Sequence, residues 1–327
     1  MLKPLVSIII PVYNAQKYLA GAIKSAIGQT WSNKEIIIVD DGSTDDSFAI
    51  AKKFEAPDVV IIQQENKGAS AARNRGLRAS KGEYVQFLDS DDLLSENKIE
   101  RQLIQLVNKP AHLGICDTVY FKDDQNPFES KPTVAWYSQS FDSNIDFLIN
   151  LYGGEFVGPN LGGMVQPNCW LTPRKILDKA GEWNEDLSVD DDGEYFCRVL
   201  LKAEGICYSS EALNYYRQNT NGKNLSAQHN HRGLISMLKS TELKEKHLSN
   251  IIKNDLLKKA FSLLYQEISI LSYPKFIDIS NYSLQKAKML GLKKITYKGG
   301  PVTSFLSKIF GWKLIKTLNY LRFSLSK

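Results

Sequence analysis

The sequence has little cysteine and little histidine. Four of each occur among its 327 residues, and no two cysteines form a Cys-x-x-Cys pair. Cysteines scattered in this way argue against a disulfide framework and against a metal site built from thiolates. No apolar run is long enough to span a membrane. Residues 5–13 could pass for the core of a signal peptide, but Pro11 interrupts them. We therefore interpret them as a buried strand and expect a cytoplasmic protein.

The C-terminal part has little negative charge. The net charge is +5, yet no Asp or Glu follows Asp278, and from Ser226 onward Lys and Arg outnumber the acids. We therefore divide the chain into an acidic body, residues 1–225, and a basic helical extension, residues 226–327. The extension carries no recognisable nucleic-acid-binding motif, so nucleic acid is not an expected partner.

Short runs with strand character alternate with helical patterns through the first 121 residues. This alternation predicts an α/β fold, a sheet wrapped by helices. We expect strands at residues 6–12, 35–40, 59–63, 84–88 and 113–121, and helices at 15–29, 47–54, 69–79 and 96–107.

The rest of the body is less regular. Residues 122–163 have no clear period and predict long loops around a short helix at 147–152. After them we expect strands at 168–172, 206–209 and 213–217, and helices from 173 and at 190–203. The extension predicts four helices, at 233–248, 251–271, 282–290 and 302–325.

Carboxylates and an aromatic side chain follow three of the predicted strands. The strand ends carry Pro11, Tyr13 and Asn14, then Asp40 and Asp41, then Asp89, Ser90, Asp91 and Asp92. Ligands of an open α/β sheet bind beyond the carboxyl ends of its strands, so we expect these side chains at one edge. Crowded carboxylates need a cation, and oxygen ligands favour Mg²⁺ or Mn²⁺, which would bridge to a diphosphate. The simpler alternative is that these acids form turns and cap the following helices.

Charged groups also occur at two predicted helix starts. Arg73 could bind a phosphate or pair with the acidic edge. Asp190, Asp191 and Asp192 occupy the first turn of a later helix, where the helix dipole alone would explain acids. Three in a row exceed what capping requires, and a carboxylate near other negative charges has a raised pKa. Asp192 is therefore a candidate general base, and Arg198 would anchor its helix against the acidic edge.

Two histidines follow the last predicted strand of the body. On a strand, His229 and His231 would face one side and could bind a metal, whereas on a helix they would diverge. Surface histidines are the simpler interpretation.

The motifs as a series resemble one family. The segments VSIIIPVYN, IIIVDDGSTDDS, NKGASAARNRGL, GEYVQFLDSDD and DDDGEYFCR are similar to those of the family-2 inverting glycosyltransferases. The resemblance covers residues 4–217 and implies the GT-A fold. In that Rossmann-like fold of nucleotide-diphospho-sugar transferases, helices flank a mixed sheet, and here a C-terminal helical extension would follow.

The resemblance implies a role for each matching residue. The nucleotide-sugar-binding candidates are Pro11, Tyr13, Asn14, Asp40, Asp41, Arg73, Asp89 and Ser90. The metal ligand is Asp91, with Asp89 and His229 as further candidates, and the catalytic residues are Asp192, the base, and Asp191. Many members have Glu-Asp where this chain has Asp191-Asp192. Many also have a His after the pair that is Tyr216-Arg217 here, where this chain continues with Gln218.

The resemblance also implies the reaction and the partners. Asp192 would deprotonate an acceptor hydroxyl that attacks the anomeric carbon of a nucleotide sugar, a UDP-sugar by preference, with Mn²⁺ or Mg²⁺ on the leaving diphosphate. Residues 122–163 and 163–170 would line the sugar and acceptor pockets, with Trp170 either stacked on a sugar or buried in the core. The acceptor would be a glycan or a lipid-linked glycan of surface polysaccharide synthesis.

The sequence is compatible with two placements of residues 302–325 and with two rival functions. Residues 302–325 form a basic amphipathic pattern suited either to the inner face of an anionic membrane or to packing on the body. A nucleotidyltransferase on a similar sheet is one rival function, although it would carry a Gly-rich loop where this chain has Tyr13-Asn14-Ala15. A catalytically inactive nucleotide-binding or scaffold protein is the other, and the retained Asp91 and Asp192 argue against it.

Overall fold

The computed structural model describes residues 3–218, 230–297 and 299–325. Its main sheet has five strands in the order β3-β2-β1-β4-β7. The first four strands are mutually parallel, and β7 is antiparallel to β4. The strands are β1 (Val6–Val12), β2 (Lys34–Asp41), β3 (Val59–Gln64), β4 (Tyr84–Phe87) and β7 (Thr172–Pro173).

A second sheet continues the body beside the first. It has the order β5-β8-β6, from β5 (Leu93–Leu94), β6 (His112–Phe121) and β8 (Gly205–Arg217). β8 runs parallel to β6 and antiparallel to β5. The mixed sheets and flanking helices confirm the predicted α/β class.

Helices cover both faces of the main sheet because its central strands are apolar on both sides. Alternate residues of β1 point to opposite faces, so Ile8 and Ile10 pack in one cluster and Ile9 in the other. The helices of the body are α1 (Leu19–Ile27), α2 (Ser47–Lys52), α3 (Ala69–Ala79), α4 (Lys98–Leu106), α5 (Asn144–Gly153), α6 (Arg174–Ala180) and α7 (Asp191–Leu200). The first face carries α1 and α4, and the second carries α3, α6 and α7.

The C-terminal helices continue the core across the predicted boundary at residue 225. They are α8 (His231–Ser249), α9 (Asp255–Ser272), α10 (Ile277–Met289), α11 (Pro301–Phe310) and α12 (Trp312–Leu325). Leu248, Phe261 and Tyr265 are buried in the same cluster as the second face of the sheet. Among the residues described, no helix is both long and apolar enough to cross a membrane.

Three predicted elements differ in the structure. The strand expected at 168–172 is instead a 3₁₀ turn, Pro167–Cys169, followed by the two-residue β7, because Asn168 bonds to side chains and loop backbone rather than to a strand ladder. The two strands expected at 206–217 form one strand, β8, whose extra residues are absorbed by a register shift opposite Cys116 and Asp117. The single helix expected at 302–325 is instead two helices, α11 and α12. α11 ends at Gly311, which has a φ of +82°.

Candidate active site

The carboxyl ends of β1, β2 and β4 meet at one edge of the main sheet because these strands are parallel neighbours. Pro11 lies buried within β1, and Tyr13 just beyond it is 53% exposed. The next residue, Asn14, has a φ of +49°. Its side-chain oxygen accepts the Thr44 N–H at 2.8 Å, and its own N–H donates to Ser43 Oγ at 3.1 Å. Asn14 thus joins the first two strand-end loops and leaves Tyr13 at the surface of the site.

The two aspartates at the end of β2 have different partners. Asp41 Oδ1 accepts the Lys67 N–H at 2.9 Å, and its Oδ2 accepts the Gly68 N–H at 2.8 Å, so it fixes the loop that leads into α3. Asp40 is fully buried, and its Oδ2 accepts only long bonds, including one from Gln63 at 3.3 Å. Asp40 Oδ1 is buried without a hydrogen-bond partner in the described structure. An orphaned buried acceptor is costly unless a ligand satisfies it.

Arg73 connects the end of β4 with the start of α7. One terminal nitrogen donates to Asp89 Oδ1 at 2.9 Å and the other to Asp191 Oδ2 at 3.0 Å. The guanidinium also lies 4.5 Å from the centre of the Trp183 ring. Because Arg73 is only 7% exposed, this bridge sets the relative position of the two acidic groups.

The three aspartates at the start of α7 have different hydrogen-bond partners. Asp190, with φ of +61°, accepts Ser240 Oγ–H at 2.8 Å and the ammonium of Lys244, which ties α7 to α8. Asp191 accepts Ser70 Oγ–H at 2.9 Å in addition to Arg73. Asp192 Oδ1 accepts only the adjacent Gly193 N–H, at 2.8 Å, among the hydrogen bonds described for its side chain.

The pKa of Asp192 is raised. Burial and the neighbouring charges of Asp191 and Asp190 raise the pKa of Asp192 to about 7, against the lowering effect of Arg73 and the Gly193 N–H. A carboxylate with this pKa can accept a proton near neutral pH and release it again.

The β4 end is held by groups far away in the chain. Asp92 is buried and accepts the Arg217 N–H at 2.7 Å and the Asn168 amide at 2.5 Å. Arg217 Nε donates to the Asp91 carbonyl at 2.9 Å. Burial, followed by the charges of Asp91 and Asp89, raises the pKa of Asp92 well above its usual range. Asp92 and Arg217 therefore fix the loop that presents Asp89, Ser90 and Asp91.

The part of the chain that carries the first four motifs matches a known protein family. The family model "Glycosyl transferase family 2" matches residues 7–181, more than half of the chain. The chain belongs to glycosyl transferase family 2.

Individual relatives of this family-2 chain come from several bacteria. "Glycosyltransferase GlyA" of Streptococcus pneumoniae serotype 4 is 32% identical over 65% of this chain. The "putative teichuronic acid biosynthesis glycosyltransferase TuaG" of Bacillus subtilis is 38% identical over 57% of this chain and 78% of its own length. The chain spans only 30% of the length of GlyA.

The fold also matches a solved structure. Residues 1–349 of S. aureus TarS, crystallised with UDP-GlcNAc, align with a TM-score of 0.60. The alignment covers 88% of this chain and 93% of that one at 17% identity. This similarity supports the predicted GT-A-like fold.

The oxygen donors of this family-2 site suit a hard divalent ion. No three His, Cys, Asp or Glu side chains of the described residues form a metal-binding group. The end of β4 offers Asp89 and Asp91, and Mg²⁺ commonly binds through one or two carboxylates while substrate phosphates and water complete its shell. The donor set therefore fits an ion that binds together with a diphosphate. His229 lies outside the described residues, and His231 packs at the start of α8 against Phe276.

Two residues lie in places that differ from the sequence expectation, and the structure decides between the two alternatives for a third. Asp92 does not cap the next helix, because α4 begins after Asn97 and Asp92 bonds to Arg217 instead. Arg198 does not reach the acidic edge; it pairs with Glu194 one turn earlier in α7. Trp170 is buried and stacks on Phe196 with ring centres 5.5 Å apart, so it belongs to the core.

The sequence places Asn168 only in a predicted pocket-lining segment, gives Lys244 no role and gives Arg217 only a motif position, although all three hold site residues. Each bonds to an acid more than 50 positions away in the chain. The one signal for Asn168 is a polar residue at the start of a predicted strand whose next three residues are apolar.

The pKa of Asp192 predicts how stability depends on pH. In the unfolded chain this carboxyl ionises near a pKa of ~3.9, whereas in the fold its pKa is about 7. The folded state therefore holds the proton more tightly, and stability is lost as the pH rises from about 4 to about 7. In Asp192→Asn this loss is absent.

We expect the melting temperature of Asp192→Asn, relative to that of the wild type, to be higher at about pH 8 than at about pH 5. The control is Asp178→Asn, at an exposed acid of α6. If the difference in melting temperature between Asp192→Asn and the wild type is the same at both pH values, the assigned pKa is contradicted.

Proposed function

We propose that the protein is a metal-dependent, inverting glycosyltransferase that moves a sugar from a nucleotide-diphosphate sugar to an acceptor hydroxyl. One observation carries the proposal. Arg73 joins Asp89, on the side of the predicted metal and diphosphate, to Asp191, the neighbour of the candidate base Asp192. The buried guanidinium of Arg73 thus sets the distance between Asp89, on the side of the leaving diphosphate, and the start of α7, where Asp192 would activate the acceptor hydroxyl.

In this proposal Asp192 accepts the proton of the acceptor hydroxyl, and the resulting oxygen attacks the anomeric carbon. The new bond forms on the face opposite the departing nucleoside diphosphate, which inverts the configuration. Asp89 and Asp91 would hold a Mg²⁺ or Mn²⁺ ion, which when bound neutralises charge on the diphosphate. Arg73 keeps Asp89 and Asp191 in place and adds positive charge near the leaving group.

The nucleoside would bind between Tyr13 and Asp40. The half-exposed ring of Tyr13 offers a stacking surface, and Asp40 Oδ1 offers a buried acceptor that has no hydrogen-bond partner among the described residues. Uracil presents an N–H donor on its pairing edge, so a UDP-sugar suits this acceptor. The UDP-GlcNAc complex of TarS, which shares the fold, supports the same donor class.

Replacing Asp40 tests the nucleoside site. In Asp40→Ala we expect UDP to bind roughly 10-fold or more weakly, since a hydrogen bond to a charged group contributes about 1.5–3 kcal/mol. Isothermal titration with UDP measures the effect. The control is Asp58→Ala, at an exposed acid that precedes β3 at the other end of the sheet. Equal UDP affinity in both variants would exclude Asp40 from the nucleoside site.

For the acceptor we propose a glycan or a lipid-linked glycan of surface polysaccharide synthesis, reached in the cytoplasm at the inner face of the membrane. The similarity to TuaG, named as a putative teichuronic acid biosynthesis glycosyltransferase, supports the polysaccharide class. The loops that include Asn160, Gly162 and Gly163, all with positive φ, and the half-exposed Met164 would border the acceptor pocket.

A further inference from the structure

Contacts of α12 anchor the last two helices to the rest of the described structure. Ile315 of α12 is 5% exposed. Trp312 packs edge-on against Tyr273 with ring centres 5.3 Å apart. Asn319, one turn after Ile315, donates its amide to the Tyr297 hydroxyl at 3.4 Å. These contacts fix α12, and α11 is joined to it through Gly311.

The outer side of both helices is apolar and exposed. On α11, Val302, Phe305 and Ile309 are 70%, 62% and 59% exposed. On α12, Leu314, Leu318 and Leu321 are each about half exposed. Their spacing of three and four residues places each trio on a single helix face. Single exposed apolar residues are ordinary, but a row of three on each of two successive helices marks an interaction surface.

Only positive charge accompanies these rows. Lys308, Lys313 and Arg322 are exposed on the same two helices, and the sequence has no acid after Asp278. A second copy of the chain, packed face to face, would bring these cations against one another. An anionic lipid surface accepts both features, because the apolar side chains enter the interface while the cations bind the headgroups.

We propose that Val302, Phe305, Ile309, Leu314, Leu318 and Leu321 form a surface that docks the protein on an anionic membrane. This surface shares no residue with the candidate active site. It extends the proposed function because it would hold the enzyme where a lipid-linked acceptor is presented. Docking is peripheral, with α11 and α12 lying along the interface.

Vesicle co-sedimentation of the full chain tests the proposal. We expect the wild type to bind vesicles that contain phosphatidylglycerol and to bind much more weakly to phosphatidylcholine alone. The double variant Phe305→Ser/Ile309→Ser should bind at least about tenfold more weakly, because each side chain loses its apolar burial in the interface. Lys308→Gln/Arg322→Gln should also bind more weakly, and added salt should weaken the wild type.

A matched control is Ile104→Ser/Val107→Ser, which removes two exposed apolar side chains from the body and should leave vesicle binding unchanged. Unaltered UDP affinity and melting temperature in the α11 variant show that its fold is intact. Vesicle binding that survives Phe305→Ser/Ile309→Ser, or a wild type that ignores phosphatidylglycerol, overturns the proposal. So does a wild-type dimer that the same variant dissociates without any binding to vesicles.

The two proposals fail separately. Vesicle binding that depends on α11 in a protein that does not bind UDP supports the docking surface and contradicts the nucleotide-sugar function. UDP binding in a protein that ignores every vesicle leaves the nucleotide-sugar function standing and overturns the docking surface.

Discussion

Replacing Asp192 by Asn is expected to lower the turnover of the donor sugar by about 10²–10⁴-fold, the usual contribution of a general base. The amide keeps the size of the side chain but cannot accept the proton of the attacking hydroxyl. UDP affinity should change little, because Asp192 acts on the acceptor rather than on the nucleotide. The release of UDP from a panel of UDP-sugars measures turnover, with water as the acceptor where no other is known.

The same assay has an internal control and a pH signature. Asp186→Asn removes a 75% exposed acid shortly before α7 and should keep wild-type turnover. In the wild type, the rate of UDP release should rise as the pH increases through about 7, because Asp192 acts as a base only when ionised and its pKa is about 7. Unchanged turnover in Asp192→Asn would refute the assigned base and favour another carboxylate of the site.

Replacing Arg73 by Met is expected to lower the free energy of unfolding by about 3–5 kcal/mol, because it leaves two carboxylates without their buried cation. The side chains of Asp89 and Asp191 are 27% and 16% exposed, so water only partly replaces the lost partner. Unfolding in urea measures the change.

The control lies on the same helix. Arg78 pairs with Glu182, and both side chains are about half exposed, so Arg78→Met should cost less than ~1 kcal/mol. If both variants lose equal stability, the Arg73 bridge is not the link between the two halves of the site. Arg73→Lys should fall between the wild type and Arg73→Met, since one ammonium cannot reproduce two fixed N–H donors.

Local patterns in the sequence predicted the sheet and its acidic edge because both depend on neighbouring residues. The apolar runs that form β1, β2 and β4 are recognisable without any knowledge of their partners; Asp40 lies at the end of β2 and Asp89 comes shortly after β4. Roles that depend on distant partners were not predictable in this way. Asp40 and Asp41 are adjacent in the chain but differ in their partners. Both carboxylate oxygens of Asp41 accept backbone N–H groups, from Lys67 and Gly68, whereas Asp40 Oδ1 has no partner among the described residues.

The C-terminal helices illustrate the same limit. Composition separates them from the body by charge, but Lys244 of α8 pairs with Asp190 at the start of α7. The basic extension therefore contributes directly to the position of α7, the helix that carries Asp192. The break at Gly311 was equally hidden, because the apolar period continues on both sides of a residue whose positive φ only the structure reveals.

The metal and diphosphate centre at the end of β4 is the central claim, and the affinity for UDP tests it most directly. Isothermal titration of UDP into the wild type should show binding that is about tenfold or more tighter with Mn²⁺ than with a chelator, a difference of ~1.4 kcal/mol or more. Asp91→Asn should abolish this metal dependence while it retains the weaker, metal-free binding. UDP affinity that is indifferent to the ion in the wild type, or equally metal-dependent in Asp91→Asn, would contradict the claim.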